Sequence, residues 1–248
     1  MNHILKGQIK DMESPQPGTC LVCQLGLITF PDAMELEHRL INLIFEEKIG
    51  DVLLIFEHPP TITLGTFGKK ENVLVPPEEL EQRGIAFYDS DRGGDATFNC
   101  PGQLVIHPMM NLRLRGARAY IADLEEMGLR ILMDYGIAAE RSPQHPGIWV
   151  NSKQIGAVGL HISRGVSMHG LSLNVNPDLT SFNLINLCGL PGRSATSIEN
   201  ELGHEVSIIE VSQQVLNWFS KVFHVGLLSV SKEQLKNDCF EPQPSKAN

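Results

Sequence analysis

Hydrophobic and polar positions recur along this chain with two different periods, one typical of strands and the other of helices. Residues 19–28, 52–58 and 61–64 have the short apolar runs expected of buried strands. Residues 32–50 carry apolar side chains at helical spacing and predict a first helix, with Asp32 as its candidate N-cap. The chain therefore opens with a strand, a helix and two further strands.

The same two periods continue to about residue 223. A short helix is predicted at PPEELEQRG, strands at IAFYDS, ATF and QLVIHP, a long helix over 118–136, strands at GIWVN, QIGAVGLHIS and SMHGLSLNVN, and helices over about 194–202 and 207–223. Long helices between strands predict an α/β or α+β fold, a mixed β-sheet flanked by helices. We expect one catalytic domain over 1–248, with its core at about 19–228 and loose ends at 1–17 and 240–248.

The net charge and the hydropathy of the chain argue against two classes of function, nucleic-acid binding and membrane association. The chain has 248 residues and a net charge of −9, which argues against nucleic-acid binding because phosphate recognition needs clustered Lys and Arg. A local exception is Arg113, Arg115 and Arg118, a candidate docking patch for an acidic partner. Apolar runs of membrane-spanning length are absent, and residues 1–18 have no apolar signal core, so no membrane association and a cytoplasmic location are expected.

The sequence predicts neither a disulfide framework nor a metal site. Its five cysteines are odd in number and irregularly spaced. Cys20 and Cys23 fall within one predicted strand, where residues three apart face opposite sides, so we interpret them as ordinary strand residues. The nine histidines show no metal-ligand spacing.

Thiol chemistry is the remaining enzymatic candidate. Cys188 lies between an apolar run and a glycine turn, where turn amides and a nearby cation would favour a reactive thiolate. Lys153, at the start of a predicted strand, is the candidate cation, and His169 on a later strand is a candidate proton carrier. From the residues alone, Cys188 is either a nucleophile or a small buried side chain.

Five segments in order resemble the lipoyl(octanoyl) transferase family: FEHPPTITLG, RGGDATFNCPGQLV, GIWV…IGAVGLHISRG, HGLSLNVNPDL and INLCG. The resemblance covers about residues 20–225. It implies the cofactor-ligase fold shared by lipoate and biotin protein ligases. It also implies transfer of an octanoyl group from acyl carrier protein to a lysine of a lipoyl domain, in a 2-oxoacid dehydrogenase or the glycine cleavage H protein, without cofactor or metal.

The resemblance also implies a set of site residues. Cys188 falls on the cysteine that carries the acyl thioester, and Lys153 lies beside the position of the catalytic lysine. The expected substrate-binding residues are Arg92, Gly93, Gly94, Asp95, Ala96, Thr97, Phe98, Asn99, Gly156, Ala157, Val158, Gly159, His169, Gly170 and Leu171.

Four positions depart from the family pattern. Gln154 stands where the family has its lysine, Asn99 and Cys100 replace a histidine and a glycine, and Leu187 replaces the proline before the cysteine. One residue along a strand means the opposite face. We nevertheless expect the flexible stem of Lys153 to reach Cys188. The alternatives are a diverged relative that binds an acyl group, a lipoyl group or a lipoyl domain with little turnover, and a cysteine hydrolase.

Overall fold

The computed structural model describes residues 18–142 and 145–240, with side chains as far as residue 236. The expected loose ends at 1–17 and 241–248 lie outside the described residues, whereas residue 240 belongs to a helix. Within the described part, no helix is both long and apolar enough to span a membrane.

Eight strands form the main sheet, in the order β11-β1-β2-β6-β10-β9-β8-β7. The strands are β1 (Thr19–Leu27), β2 (Val52–Glu57), β6 (Gln103–Met109), β7 (Glu140–Arg141), β8 (Gly147–Val150), β9 (Lys153–Ser163), β10 (Val166–Asn174) and β11 (Gly226–Ser229). β1 runs parallel to both β2 and β11, and the other pairs are antiparallel. The predicted mixed sheet is therefore confirmed.

A second sheet holds the strands that follow β2. β4 (Ala86–Asp89), β3 (Thr61–Leu64) and β5 (Ala96–Asn99) lie in that order, with β3 parallel to β4 and antiparallel to β5. The sequence predicted these strands but did not separate them from the main sheet. Pro59 and Pro60 lie between β2 and β3, and proline cannot donate to a sheet ladder, so the main sheet ends before them.

Helices cover both faces of the main sheet. They are α1 (Phe30–Phe45), α3 (Ala117–Asp134), α4 (Ile198–Leu202), α5 (Ile208–Phe223) and α6 (Lys232–Phe240), whereas the short helix α2 (Pro77–Gln82) packs through Leu80 on the second sheet. α3 and α5 bury their apolar faces in one core, while α1 and α6 bury theirs in a second. Cys20 belongs to the first core and Cys23 to the second, which confirms that these two cysteines face opposite sides of β1.

Several boundaries differ from the sequence predictions for local reasons. The N-cap of α1 is Thr29, whose hydroxyl accepts from the Asp32 amide at 3.3 Å, so Asp32 lies inside the first turn. α4 begins four residues later than expected because Ser197 caps it. β7, β11 and α6 were not predicted: the two strands are too short for a readable period, and α6 is only weakly amphipathic.

Candidate active site

A cavity of about 340 Å³ opens between the second sheet, β9 and β10. This volume lies within the range of small-molecule sites. Residues of the predicted site that line it are Arg92, Gly93, Gly94, Asp95, Thr97, Asn99, Ala157, Val158, Gly159, His169, Gly170 and Cys188. Most of the residues expected from the sequence therefore meet around one cavity.

Four residues of the expected set lie elsewhere. Ala96 and Phe98 line a narrow adjoining recess, which also touches Cys188. The side chain of Leu171 is buried in the core under α3, and a Cβ on Gly156 would lie 3.2 Å from it. Gly156 and Leu171 therefore pack in the core and do not line this cavity.

Cys188 sits in a single 3₁₀ turn, Leu187–Gly189, at the wall of the cavity. Its backbone is left-handed, with φ 53° and ψ 27°, a conformation that a residue with a side chain seldom adopts. Gly189 has φ 72°, and a Cβ there would lie 2.5 Å from a carboxylate oxygen of Asp95. This pair of left-handed residues is what points the thiol into the cavity.

The side chain next to the thiol belongs to Gln154. Its Nε2 lies 3.3 Å from the Cys188 sulfur, and its Oε1 lies 3.6 Å from the same atom. Gln154 is 4% exposed, and its backbone is held by Ser194 and Thr196, so the segment after Cys188 returns alongside the start of β9. An uncharged amide thus occupies the place where the family resemblance implies a lysine.

The register of the β8–β9 hairpin explains this placement. Asn151 and Ser152 both have positive φ and form a two-residue turn, so Lys153 pairs directly with Val150. A bulge does occur, but it leaves Ile155 unpaired, one residue beyond Gln154. Lys153 is exposed and lines neither the cavity nor the recess. The expectation that Lys153 reaches Cys188 is therefore not met.

Burial dominates the electrostatics of the thiol. Burial has the largest effect and raises the pKa of Cys188. The hydrogen bond from Gln154 and the charge of Arg92 lower this pKa, whereas the charge of Asp95 raises it. The net shift is upward. Cys188 is consequently a neutral thiol at neutral pH, since the thiolate is disfavoured without a closer cation. Catalysis through this sulfur needs a proton acceptor supplied when substrate binds.

Arg92 organises the loop that was expected to bind substrate. Its Nη2 donates to the Thr63 carbonyl at 2.8 Å and to the Asp95 carbonyl at 2.7 Å, and its Nε donates to the Thr63 hydroxyl at 3.2 Å. Burial lowers the pKa of Arg92 to about 10, which still leaves it charged at neutral pH. A Cβ on Gly159 would lie 3.1 Å from Arg92 Cδ, so a side chain at position 159 would crowd Arg92.

Behind the thiol runs a chain of buried amides. Asn99 donates to Gln103, Gln103 donates to Asn174 at 2.7 Å, and Asn174 donates to the Thr196 carbonyl at 2.9 Å. Amides fix geometry but do not exchange protons near neutral pH. Sequence reasoning identified Asn99 as a departure from the family but missed Gln103, which the pairing of β6 with β10 places beside Asn174.

The far end of the cavity is lined by histidines. His58, His107 and His169 all face it, and His169 Nε2 lies 2.8 Å from Asp91 Oδ1. Beneath them Glu37 is fully buried, with Oε1 2.6 Å from His107 Nδ1. Burial alone raises the pKa of Glu37, but the charge and hydrogen bond of His107, together with His169, bring it down to about 2. Sequence reasoning identified His169 alone in this cluster.

The arginine patch proposed for docking lies away from the thiol. Arg113 packs beside Gly165, in the turn after β9, at the opposite end of that strand from Gln154. The Nε of Arg115 donates to Asp123 at 2.7 Å, and its guanidinium covers the Phe223 ring. A partner that delivers its group to Cys188 would have to span the length of β9 to use this patch.

Comparison with known proteins finds related sequences that match most of this chain. The lipoyl protein ligase A/B catalytic domain family matches residues 30–220. An octanoyltransferase of Desulforamulus reducens is 38% identical over 205 residues, covering 82% of this chain and 90% of its own length. The match extends well beyond the site segments and includes most of the core.

Solved structures confirm the expected ligase-like fold. Lipoate-protein ligase A bound with ATP superposes with a TM-score of 0.71 at 16% identity, covering 90% of this chain and 92% of its own. A bipartite lipoate protein ligase of Thermoplasma acidophilum, described with its E2 lipoyl domain, gives 0.69 at 16% identity, covering 90% of each chain. By fold and by sequence, this chain belongs to the lipoyl protein ligase A/B catalytic domain family.

Proposed function

We propose that this chain is an acyltransferase that moves an octanoyl group from acyl carrier protein to a lysine of a lipoyl domain. The observation that carries the proposal is the Cys188 thiol, presented by a left-handed turn into a cavity of ligand size. The octanoyltransferase relative and the ligase described with its lipoyl domain support the reaction class and the acceptor.

The transfer proceeds in two steps. The Cys188 sulfur attacks the carrier thioester carbonyl, the bond between that carbonyl and the carrier sulfur breaks, and the thiol proton leaves with the carrier thiol. The amine of the acceptor lysine then attacks the Cys188 thioester, the carbon–sulfur bond breaks, and the amine proton returns to Cys188. No ATP is consumed, because a thioester is converted into a more stable amide.

The Gln154 amide binds the acyl carbonyl in this scheme. It already reaches the sulfur at 3.3 Å, and an amide N–H beside the attacking atom stabilises the developing oxyanion. The acyl chain then extends past Ala157 and Gly159 towards the histidine end of the cavity. Each methylene that leaves water there contributes about 0.8 kcal/mol.

Intact mass spectrometry tests the proposal. The full chain is incubated with octanoyl acyl carrier protein, with and without a lipoyl domain. We expect an octanoyl adduct on Cys188 that disappears when the lipoyl domain is added, with the label appearing on that domain. Cys188→Ser abolishes both products, while Cys100→Ser, at a buried thiol that does not line the cavity, leaves them unchanged. An adduct on Cys100, or labelling that survives in Cys188→Ser, contradicts the scheme.

A second candidate function, binding of an acyl or lipoyl group with little turnover, is supported by the presence of Gln154 beside the thiol. The described site has no lysine beside the thiol, and the thiol pKa is raised, so a relative that binds an acyl or lipoyl group with little turnover fits the same geometry. The mass experiment separates the two: this candidate leaves both the protein and the lipoyl domain unmodified while still retaining octanoate or lipoate. Release of free octanoate instead would indicate a cysteine hydrolase.

A further inference from the structure

Three side chains from distant parts of the sequence meet at the histidine end of the cavity. Glu37 comes from α1, His107 from β6 and His169 from β10. One potential ligand atom from each lies within 4.8 Å of the others. Two imidazoles and one carboxylate are a ligand set that zinc uses in open sites. No sequence spacing reveals this set, because about sixty to seventy residues separate its members.

A carboxylate outside the cluster orients one of the two imidazoles. Asp91 Oδ1 lies 2.8 Å from His169 Nε2, which leaves Nδ1 of the same ring for a ligand. The backbone of His169 is left-handed, with φ 58°, and its amide donates to Glu37 Oε2 at 3.1 Å. An outer carboxylate that fixes the ring of a ligating histidine is a common feature of metal sites.

A cation can reach the cluster from the cavity, and Glu37 supplies a negative charge to bind it. His107 and His169 line the cavity, and Glu37 lies behind them with no exposed surface. A cation entering from the cavity would meet three ligands and keep one position open towards the cavity. The Glu37 carboxylate would balance part of its charge in an apolar setting, where an unpaired ion is costly.

We propose that Glu37, His107 and His169 form a binding site for a zinc-like divalent cation at the wall of the cavity. Without the cation, the hydrogen bond between Glu37 Oε1 and His107 Nδ1 at 2.6 Å holds these two side chains together. On binding, the two atoms would separate and become individual ligands of one ion. The site shares the cavity with Cys188, but cation binding needs no acyl group and can be tested without any acyl substrate.

Competition between the full chain and a chromophoric chelator for Zn²⁺ alone tests the site. We expect one equivalent to bind. His107→Asn is expected to weaken binding by about a hundredfold, and Asp91→Asn by about tenfold to a hundredfold. The matched control is His161→Asn, at a partly exposed histidine 4.0 Å from Asp91, which should change the affinity by less than about threefold. Binding that is unchanged in His107→Asn, or equally weakened in His161→Asn, overturns the proposal.

Cobalt substitution keeps the test valid if His107→Asn does not fold. Co²⁺ added to the unmodified chain should give the visible bands of a four- or five-coordinate ion with nitrogen and oxygen ligands. The same spectrum should persist after Cys188 is alkylated. A sulfur-to-cobalt charge-transfer band that disappears on alkylation would place the ion on the thiol, and the absence of any visible band beyond aqueous Co²⁺ would exclude the site.

Discussion

The contact between Gln154 and Cys188 decides how the thiol behaves. An amide at 3.3 Å from the sulfur supplies a hydrogen bond but no charge, and burial keeps the thiol pKa above its ordinary value. A cation within about 4–6 Å would favour the thiolate. The reactivity of this cysteine therefore depends on Gln154, one of the residues that differ from the family pattern.

Gln154→Lys should activate the thiol. An ammonium at this position lowers the Cys188 pKa. For each pKa unit the thiolate fraction at pH 7 rises about tenfold while the thiolate becomes less nucleophilic, so the rate of alkylation by iodoacetamide should rise about threefold. The measurement is the rate of Cys188 carbamidomethylation by mass spectrometry. Lys153→Ala is the matched control, and it should leave the rate unchanged because Lys153 is exposed. A slower reaction in Lys153→Ala would indicate that Lys153 acts on the Cys188 thiol after all.

Arg92→Lys should damage the substrate loop although it keeps the charge. An ammonium cannot donate to Thr63 and to the Asp95 carbonyl from one planar group, so buried acceptors lose partners. We expect a loss of about 2–3 kcal/mol in the free energy of unfolding, together with loss of acyl loading. Arg130→Lys, at an exposed arginine paired with Glu126, should cost less than about 0.5 kcal/mol. Equal urea midpoints for the two variants would show that the loop does not depend on the guanidinium.

At the scale of secondary structure, long periodic segments were predictable and exceptions to the period were not. The apolar spacing of α1, α3 and α5 and the apolar runs of β8–β10 predicted these elements from the sequence alone. The bulge at Ile155 was not visible, because it comes from the turn geometry before it and the pairing with β8. The same holds for the site: the glycine loop and Cys188 were predicted, while Gln103 and Asn174 meet because β6 pairs with β10, and Glu37 meets the histidines because α1 packs against these strands.

His58, just after β2, should make the fold sensitive to acid. Its Nδ1 lies 2.7 Å from the Ile28 carbonyl, and burial lowers its pKa to about 4 despite that hydrogen bond. Protons then bind the unfolded chain more readily than the folded one between about pH 6.5 and 4. Stability is therefore retained above pH 6.5 and falls as the pH drops through this range, by a total on the order of 3 kcal/mol.

His58→Asn should flatten this dependence. An asparagine cannot take up a proton, so the free energy of unfolding should change less between pH 6.5 and 4 than in the unaltered chain. Urea unfolding at several pH values gives the comparison. His204→Asn, at an exposed histidine, should keep the original slope. If the slope is equally steep in His58→Asn, other groups are responsible for the acid sensitivity.

At the scale of the whole molecule, β11 and α6 complete one side of the sheet. Neither was predicted, yet Leu235 on α6 is 2% exposed and packs in the core with α1. Leu235→Ala should lower the free energy of unfolding by about 2–5 kcal/mol, as expected for a buried leucine. Leu114→Ala, at a fully exposed leucine, should have almost no effect. A loss of less than 1 kcal/mol at Leu235, measured by urea unfolding, would mean that α6 contributes little to the core.

The pairing of β1 with β11 also constrains the order in which the molecule can assemble. Thr19 is aligned with Gly226, so two strands about two hundred residues apart in sequence lie side by side. During synthesis, β1 can pair with β2 early, but its other edge has no partner until residues 226–229 have left the ribosome. Contacts this distant slow folding, and an unpaired edge can pair with another chain. Nascent chains are therefore most exposed to misassembly in the interval before residues 226–229 emerge, and a chaperone would have its greatest effect on yield in that interval.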